Sequence, residues 1–364
     1  MRPRTAVLAL AVITLAASTP QTAADSTRTL RLEMPAGATA HVTVENLVGS
    51  MKVVTGSGQN IVAIATVHAE NEDLAGMLKI EQVTSETGGP VLRVIYPLDT
   101  YSRYRFPGGG DAGSFLGGLF GGSSTSTKYA GRKVKVSAHD GVLLYADVEV
   151  QVPRHTVDAT FRNVVGPLKG EEVEGTLLFD SSSGDVTLAR VRGKVKVDTG
   201  SGDVKASDVQ GSFTCDTGSG DCDLTGFTGE EISCNTGSGD ILVRSATADR
   251  IDLDTGSGDI EAVEADVVEF TADTGSGGIE LEVRGRRLSR VAADTGSGDV
   301  TLRLDPDASF EARADQGSGD LVVRFSDAQP ILNRKEVIGY RRGDERIKIK
   351  VETGSGDLVI EPGT

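Results

Sequence analysis

The sequence repeats a carboxylate motif that is familiar from acid–base chemistry. The tetrapeptide Asp-Thr-Gly-Ser begins at residues 198, 216, 254, 273 and 294, and aspartic proteases use this tetrapeptide to supply the two Asp that share a proton. Such a dyad needs two copies that converge from separate lobes. Five copies at nearly equal spacing instead place their carboxylates one after another along a single edge, so we predict that the chain is not an aspartic protease.

The extended motif also ends in a carboxylate, as Gly-Ser-Gly-Asp. Calcium-binding β-rolls use Gly-Gly-x-Gly-x-Asp with a nine-residue period, whereas this motif is one residue shorter and recurs at about twice that period. A calcium-binding β-roll therefore stays an open alternative rather than an assignment. Its ligands would be Asp203, Asp221, Asp240, Asp259 and Asp299.

Other catalytic patterns are weaker still. Glycan-active β-helix enzymes need a carboxylate pair that stands apart from the repeat, and no such pair is evident. The histidines at positions 41, 68, 139 and 155 share no metal-ligand spacing, and neither a nucleophile elbow nor a phosphate-binding loop occurs. We therefore predict a non-enzymatic protein with no assigned catalytic, cofactor-binding or metal residue, and keep the glycan-active enzyme as an alternative.

The cysteines are Cys215, Cys222 and Cys234, which is an odd number for an oxidising compartment. One pair could form a disulfide and leave one free thiol. Alternatively, all three are small buried hydrophobes at positions where neighbouring repeats carry Val, Leu or Ile. The sequence leaves their disulfide state open.

The motif recurs with a nearly constant period. Its copies begin at Asp180, Asp198, Asp216, Asn235, Asp254, Asp273, Asp294, Asp315 and Glu352. The successive intervals are 18, 18, 19, 19, 19, 21, 21 and 37 residues, and the last suggests one coil without a motif. A fixed period of this length is the signature of a solenoid.

Between the motifs, apolar and polar residues alternate with the period of a β-strand, as in Lys194-Val-Lys-Val. Gly193, Gly211 and Gly229 mark a second turn in each repeat. We therefore predict an all-β, single-stranded β-solenoid (β-helix) of about 19-residue coils, each with two short strands, stacked about 4.8 Å apart and right-handed.

The alternation also fixes which motif residues face the core. If the residue before each motif points inward, the first Asp points outward, the Thr points inward, and Cys215 and Cys234 are neighbours in one inward row. The motif glycines should allow positive φ at the turn. Stacked Asp side chains repel by roughly 0.9 kcal/mol per contact in water, so turn hydrogen bonds or bound cations must offset the repulsion.

The composition of the remaining segments predicts the location, the partner class and the domain organisation of the protein. Residues 1–24 resemble a cleaved signal peptide, so we expect an exported protein of the periplasm, cell surface or exterior, with no later transmembrane segment. The net charge of −16 argues against nucleic acid as a partner. Residues 25–165 should be a divergent N-terminal β region with a mobile Gly-rich loop at 107–131, and residues 166–364 the regular repeats.

Within that division, finer features are expected. We predict a helix at 71–81, strands at 91–96 and 143–152, and an excursion at 326–345. The last motif should close an exposed end of the stack. Tyr101–Phe106 and the Gly-rich loop either contact a partner or pack back on the solenoid.

The chain resembles the bacterial DUF4097 family of adhesin-type β-strand-repeat proteins. The resemblance rests on the segment Val44–Gly58, the strand Ala146–Pro153 with Asn163-Val-Val-Gly166 after it, and the repeated Ser-Gly-Asp-(Val/Ile/Leu) steps. It implies a β-helix-like fold at the cell envelope. The leading hypothesis is an adhesin-like binding or scaffold protein whose partner is a surface glycan or an envelope protein. The alternative is an envelope-stress or regulatory accessory protein that binds a protein partner through residues 101–131.

Overall fold

The computed structural model describes residues 26–35, 41–85, 88–107, 124–154, 157–334 and 336–363. The predicted signal peptide, His155 and residues 108–123 of the predicted Gly-rich loop lie outside these ranges. The described residues are all-β and contain many parallel strands, as in a solenoid-like fold. They contain no helix that is long and apolar enough to cross a bilayer.

The chain divides into two compact units, residues 1–187 and 188–364. The first unit contains α1 (Glu72–Met77) and the strands β1 (Ser26–Pro35), β2 (Val42–Val48), β3 (Met51–Thr55), β4 (Asn60–Ala69), β5 (Lys79–Thr84), β6 (Pro90–Ile95), β7 (Arg103–Arg105), β8 (Ser124–Tyr129), β9 (Arg132–Ser137), β10 (Val142–Val152), β11 (Val157–Val165), β12 (Leu168–Glu171) and β13 (Glu174–Ser181). Strand β14 (Val186–Ala189) spans the division.

The second unit consists of strands. They are β15 (Arg192–Thr199), β16 (Val204–Thr217), β17 (Cys222–Thr236), β18 (Ile241–Thr255), β19 (Ile260–Thr274), β20 (Ile279–Val283), β21 (Arg290–Thr295), β22 (Val300–Leu304), β23 (Phe310–Gln316), β24 (Leu321–Val323), β25 (Gln329–Asn333), β26 (Glu336–Arg342), β27 (Ile347–Thr353) and β28 (Leu358–Pro362). The domain boundary at 165/166 stays a sequence prediction.

The first unit mixes parallel and antiparallel pairing. Strand β4 lies antiparallel between β1 and β10, while β3 lies parallel between β10 and β12, and β2 between β6 and β11. The predicted strands match β6 and β10 closely. The helix is shorter than predicted because it begins after the Asn71 cap, whose side chain accepts a hydrogen bond from the Leu74 N–H, and β5 begins at Lys79.

The end of the predicted loop is ordered as a hairpin. Residues Ser124–Tyr129 form β8, which pairs antiparallel with β9 through a turn at Ala130 and Gly131, both with positive φ. Strand β9 in turn lies parallel to β7. The prediction of a mobile loop as far as residue 131 was therefore wrong for its last eight residues, because alternating Ser and Thr gave no apolar pattern to mark the strand.

Two buried asparagines form a hydrogen-bonded pair in the core of the first unit. Asn46 and Asn163 are fully buried and occupy equivalent places in β2 and β11. The Asn46 side-chain NH₂ donates to Asn163 Oδ1 at 3.0 Å, and the Asn163 NH₂ donates to the backbone oxygens of Gly49 and Gly166. Because buried polar groups must find partners, this amide pair fixes the two Asn-x-Val-Gly turns against each other.

The second unit is a parallel stack. Strands β15 to β19 pair in sequence, and their register joins each motif residue to its counterpart, as in Asp198 with Asp216 and Asn235 with Asp254. Each of the long strands β16 to β19 bends near its middle at a residue with positive φ, and these residues are Asp208, Gly226, Ser245 and Glu264. Strand β16 has a second positive φ at Gly211. The repeated turns therefore lie in one row, as the period predicts.

The C-terminal strands do not stack in chain order. Strand β27 lies parallel between β21 and β23, and β28 lies between β22 and β24. The last motif, at Glu352, is thus inside the stack, and the prediction that it closes the end was wrong. Strand β23 is covered instead by the antiparallel hairpin β25–β26, which forms the predicted excursion and accounts for the 37-residue interval without a missing motif.

Candidate functional site

The motif turns of the second unit form a corner edge, which begins with a buried row of threonines. These are Thr199, Thr217, Thr236, Thr255, Thr274, Thr295 and Thr353. The Thr255 hydroxyl accepts a hydrogen bond from the Gly258 N–H at 3.2 Å and donates to the Gly239 oxygen of the previous coil at 2.9 Å. The same pair of bonds recurs at the neighbouring turns, so each hydroxyl closes its own turn and joins it to the next. The inward-facing Thr is confirmed.

The motif glycines have a different role from the predicted one. None of them has φ in the left-handed region, whereas Gly193 and Gly211 of the second turn do. A Cβ added at Gly258 would lie 2.0 Å from the Gly239 backbone oxygen. The motif therefore needs glycine because successive turns stack in direct backbone contact, and the prediction of positive φ there was wrong.

The last Asp of each motif forms the last Asp row, which is built into the backbone. Asp221 Oδ1 accepts the backbone N–H of Asp240 at 2.9 Å, and Asp240 Oδ1 accepts that of Asp259 at 2.8 Å. Equivalent bonds join the other members of the row. A carboxylate that accepts a backbone N–H is stabilised, so hydrogen bonds offset the repulsion here. They come from the backbone of the next coil, whereas the prediction placed them within the carboxylate's own turn.

The first residue of each motif forms the first Asp row, which lacks this support. In register order its members are Asp198, Asp216, Asn235, Asp254, Asp273, Asp294, Glu352 and Asp315. All the aspartates are exposed, which confirms the predicted outward orientation. Lys196 lies 3.9 Å from both Asp198 and Asp216 at one end, and Lys350 pairs with Glu352 near the other.

The middle of the first Asp row is uncompensated. Within the part of the chain that the structure describes, no salt bridge involves Asp254, Asp273 or Asp294. Partial burial, and then the neighbouring Asp254, raise the pKa of Asp273. Partial burial, followed by Asp273 and Glu352, raises the pKa of Asp294, and the nearby Lys350 only partly opposes this. Both shifts indicate carboxylates that the fold holds close together without a full counter-charge.

A neighbouring row shows that the fold can compensate charge. On the same strands, Glu231, Arg250, Glu269 and Arg290 lie in register with alternating sign. The Arg250 guanidinium lies 3.7 Å from the Glu269 carboxylate. Cross-strand pairs of opposite charge stabilise a sheet, and like charges destabilise it, so the first Asp row is the exception on this surface.

The aromatic segment proposed as a contact loop is largely internal. Tyr104 is fully buried and Phe106 nearly so, and Tyr104 packs edge-to-face against Tyr96. The basic residues of the segment pair with acids, Arg103 with Asp140 and Arg105 with Glu70. Of the two predicted alternatives, packing back on the fold holds for Tyr104–Phe106.

A Ser, an Asp and a His meet in the first unit but do not form a catalytic triad. The Ser50 hydroxyl donates to Asp147 Oδ1 at 2.7 Å, and His68 Nε2 lies 3.0 Å from Asp147 Oδ2. Burial acts to raise the pKa of Asp147, but the His68 and Ser50 hydrogen bonds outweigh it and lower the pKa. In a triad the His lies between the Ser and the Asp and takes the serine proton. Here Asp147 lies between Ser50 and His68, so His68 is not placed to take a proton from Ser50.

The three cysteines lie together in the core. Cys215 and Cys234 pair in register on β16 and β17, as predicted, and the Cys222 thiol donates to the Cys234 sulfur at 3.4 Å. Hydrogen bonds from Cys215 and Cys222 lower the pKa of Cys234, whereas hydrogen bonds with Cys215 and Cys234, followed by burial, raise the pKa of Cys222. The inward pattern placed Cys215 and Cys234 together; it did not indicate that Cys222, on the other side of the β17 bend, would reach them.

The fold and its repeated corner define an all-β repeat protein with a solenoid-like parallel stack. The family model described as Toastrack DUF4097 matches residues 144–361. The chain therefore belongs to the DUF4097 family, as its motifs indicated.

Matches among solved structures come from several bacteria. A lipid-binding protein from Parabacteroides distasonis, itself described as putative, is 13% identical, with a TM-score of 0.38, and the match covers 93% of this chain and 97% of that one. An adhesin from Bacteroides fragilis, likewise putative, is 12% identical with a TM-score of 0.37 and coverages of 92% and 97%. A putative cell adhesion protein from Clostridium sporogenes is 9% identical with a TM-score of 0.21 and coverages of 93% and 100%. No curated protein matches the chain significantly.

Proposed function

We propose that the chain is a non-enzymatic, exported binding or scaffold protein of the cell envelope, and that it binds a cationic segment of an envelope protein along the first Asp row. The observation that carries the proposal is the uncompensated series Asp254, Asp273 and Asp294. Paired strands lie about 4.8 Å apart, so the eight positions of the row span about 34 Å. Coils of about 19 residues and right-handed winding are part of this proposal.

The chemistry of the row supports a cationic partner. Closely spaced like charges raise the local concentration of opposite charge and speed its association. A Lys- or Arg-rich segment that lies along the row would relieve the repulsion that the fold leaves in place. Such binding should weaken as the salt concentration rises, because exposed charges are screened beyond about 8 Å at physiological ionic strength.

Binding to a fluorescent Lys-rich peptide tests the proposal, with the Lys-acetylated peptide as the comparison. The triple variant Asp254→Asn, Asp273→Asn, Asp294→Asn should weaken binding at least about 10-fold, which is the loss of about 1.4 kcal/mol. Asn235 already occupies this row, so Asn is compatible with the fold. The matched control removes three carboxylates from other rows, as Glu231→Gln, Glu261→Gln and Glu311→Gln, and should change affinity much less.

Two results would contradict the proposal. If both triple variants lose the same affinity, net charge rather than the row is responsible. If calcium binds to the wild type and raises its melting temperature while the peptide does not bind, the calcium-binding β-roll is the better description.

An assay for released sugars tests the glycan-active enzyme. Binding through residues 101–131 stays a prediction, tested by deleting residues 107–131 and repeating a pull-down from envelope extract.

A further inference from the structure

All three cysteines of the chain converge on one point in the core. Cys215 and Cys234 come from adjacent coils of one inward row, and Cys222 comes from the part of β17 before its bend. Their sulfur atoms lie within 4.8 Å of one another, and each residue is only 1% exposed. The cluster does not depend on the first Asp row, and its chemistry is separate from that of the proposed function.

Packing does not explain why three sulfurs meet. In the row that contains Cys215 and Cys234, the flanking coils carry Val197 and Leu253. In the row that contains Cys222, they carry Val204 and Ile241. Aliphatic side chains therefore fill the equivalent core positions in the adjacent coils.

The spacing fits a small ion with sulfur ligands. A metal–sulfur bond of about 2.3 Å in a three-coordinate plane places the sulfurs about 4 Å apart. The Cys222 and Cys234 sulfurs, at 3.4 Å, need to separate by about 0.6 Å, and no pair that is now within 4.8 Å needs to close by more than about 0.8 Å. Side-chain rotation of this size needs no movement of the strands.

The ligand set selects the kind of ion. Thiolates prefer soft ions such as Cu(I), and they also bind zinc. Structural zinc sites are closed by four ligands, whereas in the described residues the group comprises these three cysteines without a fourth His, Cys, Asp or Glu. We propose that Cys215, Cys222 and Cys234 form a three-coordinate site for one soft, thiophilic ion of the Cu(I) type.

The location gives such an ion a short approach. Cys215 precedes Asp216, Cys222 follows Asp221, and Cys234 precedes Asn235, so the cluster lies one residue beneath the corner edge. Thiol protons pass to solvent as the ion binds, and its positive charge partly offsets the charge of the thiolates, which are costly in an apolar core without a counter-charge.

Titration of the reduced mature chain with Cu(I) under anaerobic conditions tests the site, in competition with a chromophoric Cu(I) chelator. We expect one Cu(I) per chain, the luminescence typical of Cu(I)–thiolate centres shielded from water, and three sulfur scatterers in X-ray absorption. Cys222→Ala and Cys215→Val should each weaken binding by more than the roughly 100-fold that loss of a supporting contact costs.

The controls separate ligation from folding. Cys215→Val copies the residue at Val197, so its circular dichroism and melting temperature should stay near those of the wild type. Val197→Ala disturbs the same row without removing a sulfur and should retain the Cu(I) stoichiometry. The proposal is overturned by unchanged binding in the cysteine variants or by no stoichiometric binding after reduction. Zn(II) bound more tightly than Cu(I), with a fourth ligand in X-ray absorption, would also overturn it.

Discussion

The first Asp row makes a quantitative prediction about stability. Asn235 lies in register between Asp216 and Asp254, so Asn235→Asp adds two like-charge contacts about 4.8 Å apart. Each costs roughly 0.9 kcal/mol in water, and screening with a Debye length of about 8 Å reduces this to about 0.5 kcal/mol. Asn235→Asp should therefore lower the free energy of unfolding by about 1 kcal/mol at physiological salt and by about 1.5 kcal/mol at 0.01 M salt. Asp273→Asn removes two such contacts and should raise it by a similar amount.

The pH dependence of the unfolding free energy tests independently whether the charge of Asp273 destabilises the fold. Burial, and then Asp254, raise the pKa of Asp273 above its usual range, so its folded pKa exceeds its unfolded pKa. A shift in this direction stabilises the fold below the unfolded pKa, and that stabilisation is lost as the pH rises through the folded pKa. The advantage of Asp273→Asn should therefore be absent in acid, develop above about pH 4 and be complete at pH 7.

Urea unfolding at three salt concentrations, repeated from pH 3 to pH 7, measures both effects. Glu269→Gln is the matched control, because Glu269 lies in register between Arg250 and Arg290 and its loss should destabilise the fold or leave it unchanged. The reasoning is refuted if Asn235→Asp is neutral at low salt, or if the gain in Asp273→Asn does not change with pH.

Five further substitutions test how the corner edge and the strand bends are built. Thr255→Val leaves the Gly258 N–H and the Gly239 oxygen without partners and should cost about 2–4 kcal/mol in urea unfolding, whereas Thr255→Ser keeps the hydroxyl and should cost about 1 kcal/mol. Gly258→Ala sets a Cβ against the Gly239 oxygen, and thermal melting should show a loss of stability larger than that of Thr255→Val. Ser245→Gly relieves a positive φ and should stabilise the fold by up to about 1 kcal/mol, while the reciprocal Gly226→Ala should destabilise it by about 1–2 kcal/mol; equal effects of these two would contradict the assigned bend.

The side of the sheet on which each motif residue lies was predictable, because the two-residue alternation of a strand agrees with the spacing of the motif. Alternation within a strand has a period of two, and the motif repeats with its first residue one position after an apolar residue. Those two facts place Thr255 inside and Asp254 outside without reference to coordinates, and the burial of each agrees. The pairing of Cys215 with Cys234 follows from the same register.

The bends and the glycine contacts were not predictable in this way. Asp208, Ser245 and Glu264 adopt positive φ although nothing in their residue type requires it, because the row of bends is imposed by the coils above and below. For the motif glycines, the residue type did suggest a backbone conformation, but the suggestion was wrong. Their residue type indicated a conformational role, but the close approach of Gly258 to Gly239 depends on stacking, which no single coil reveals.

The order of the last coils could not be predicted either. Asp315 and Glu352 both begin degenerate motifs, the former without the Thr and the latter without the first Asp, and alternation alone allows either strand to pair in register with β21. Chain order favours Asp315, yet β27 takes that place. The hairpin β25–β26 pairs antiparallel with β23, so one side of β23 is already occupied and β27 pairs with the other.

The same residue type therefore has two different roles within one six-residue motif. The last Asp accepts a backbone N–H from the next coil and contributes to the stack, so its charge has a structural explanation. The first Asp lies beside its copies, and at Asp273 and Asp294 partial burial and the neighbouring carboxylates disfavour the ionised state. Asn235 demonstrates that this position folds without a charge. Carboxylates that the fold does not need and that repel one another along a regular row are the reason we propose a partner that carries several positive charges.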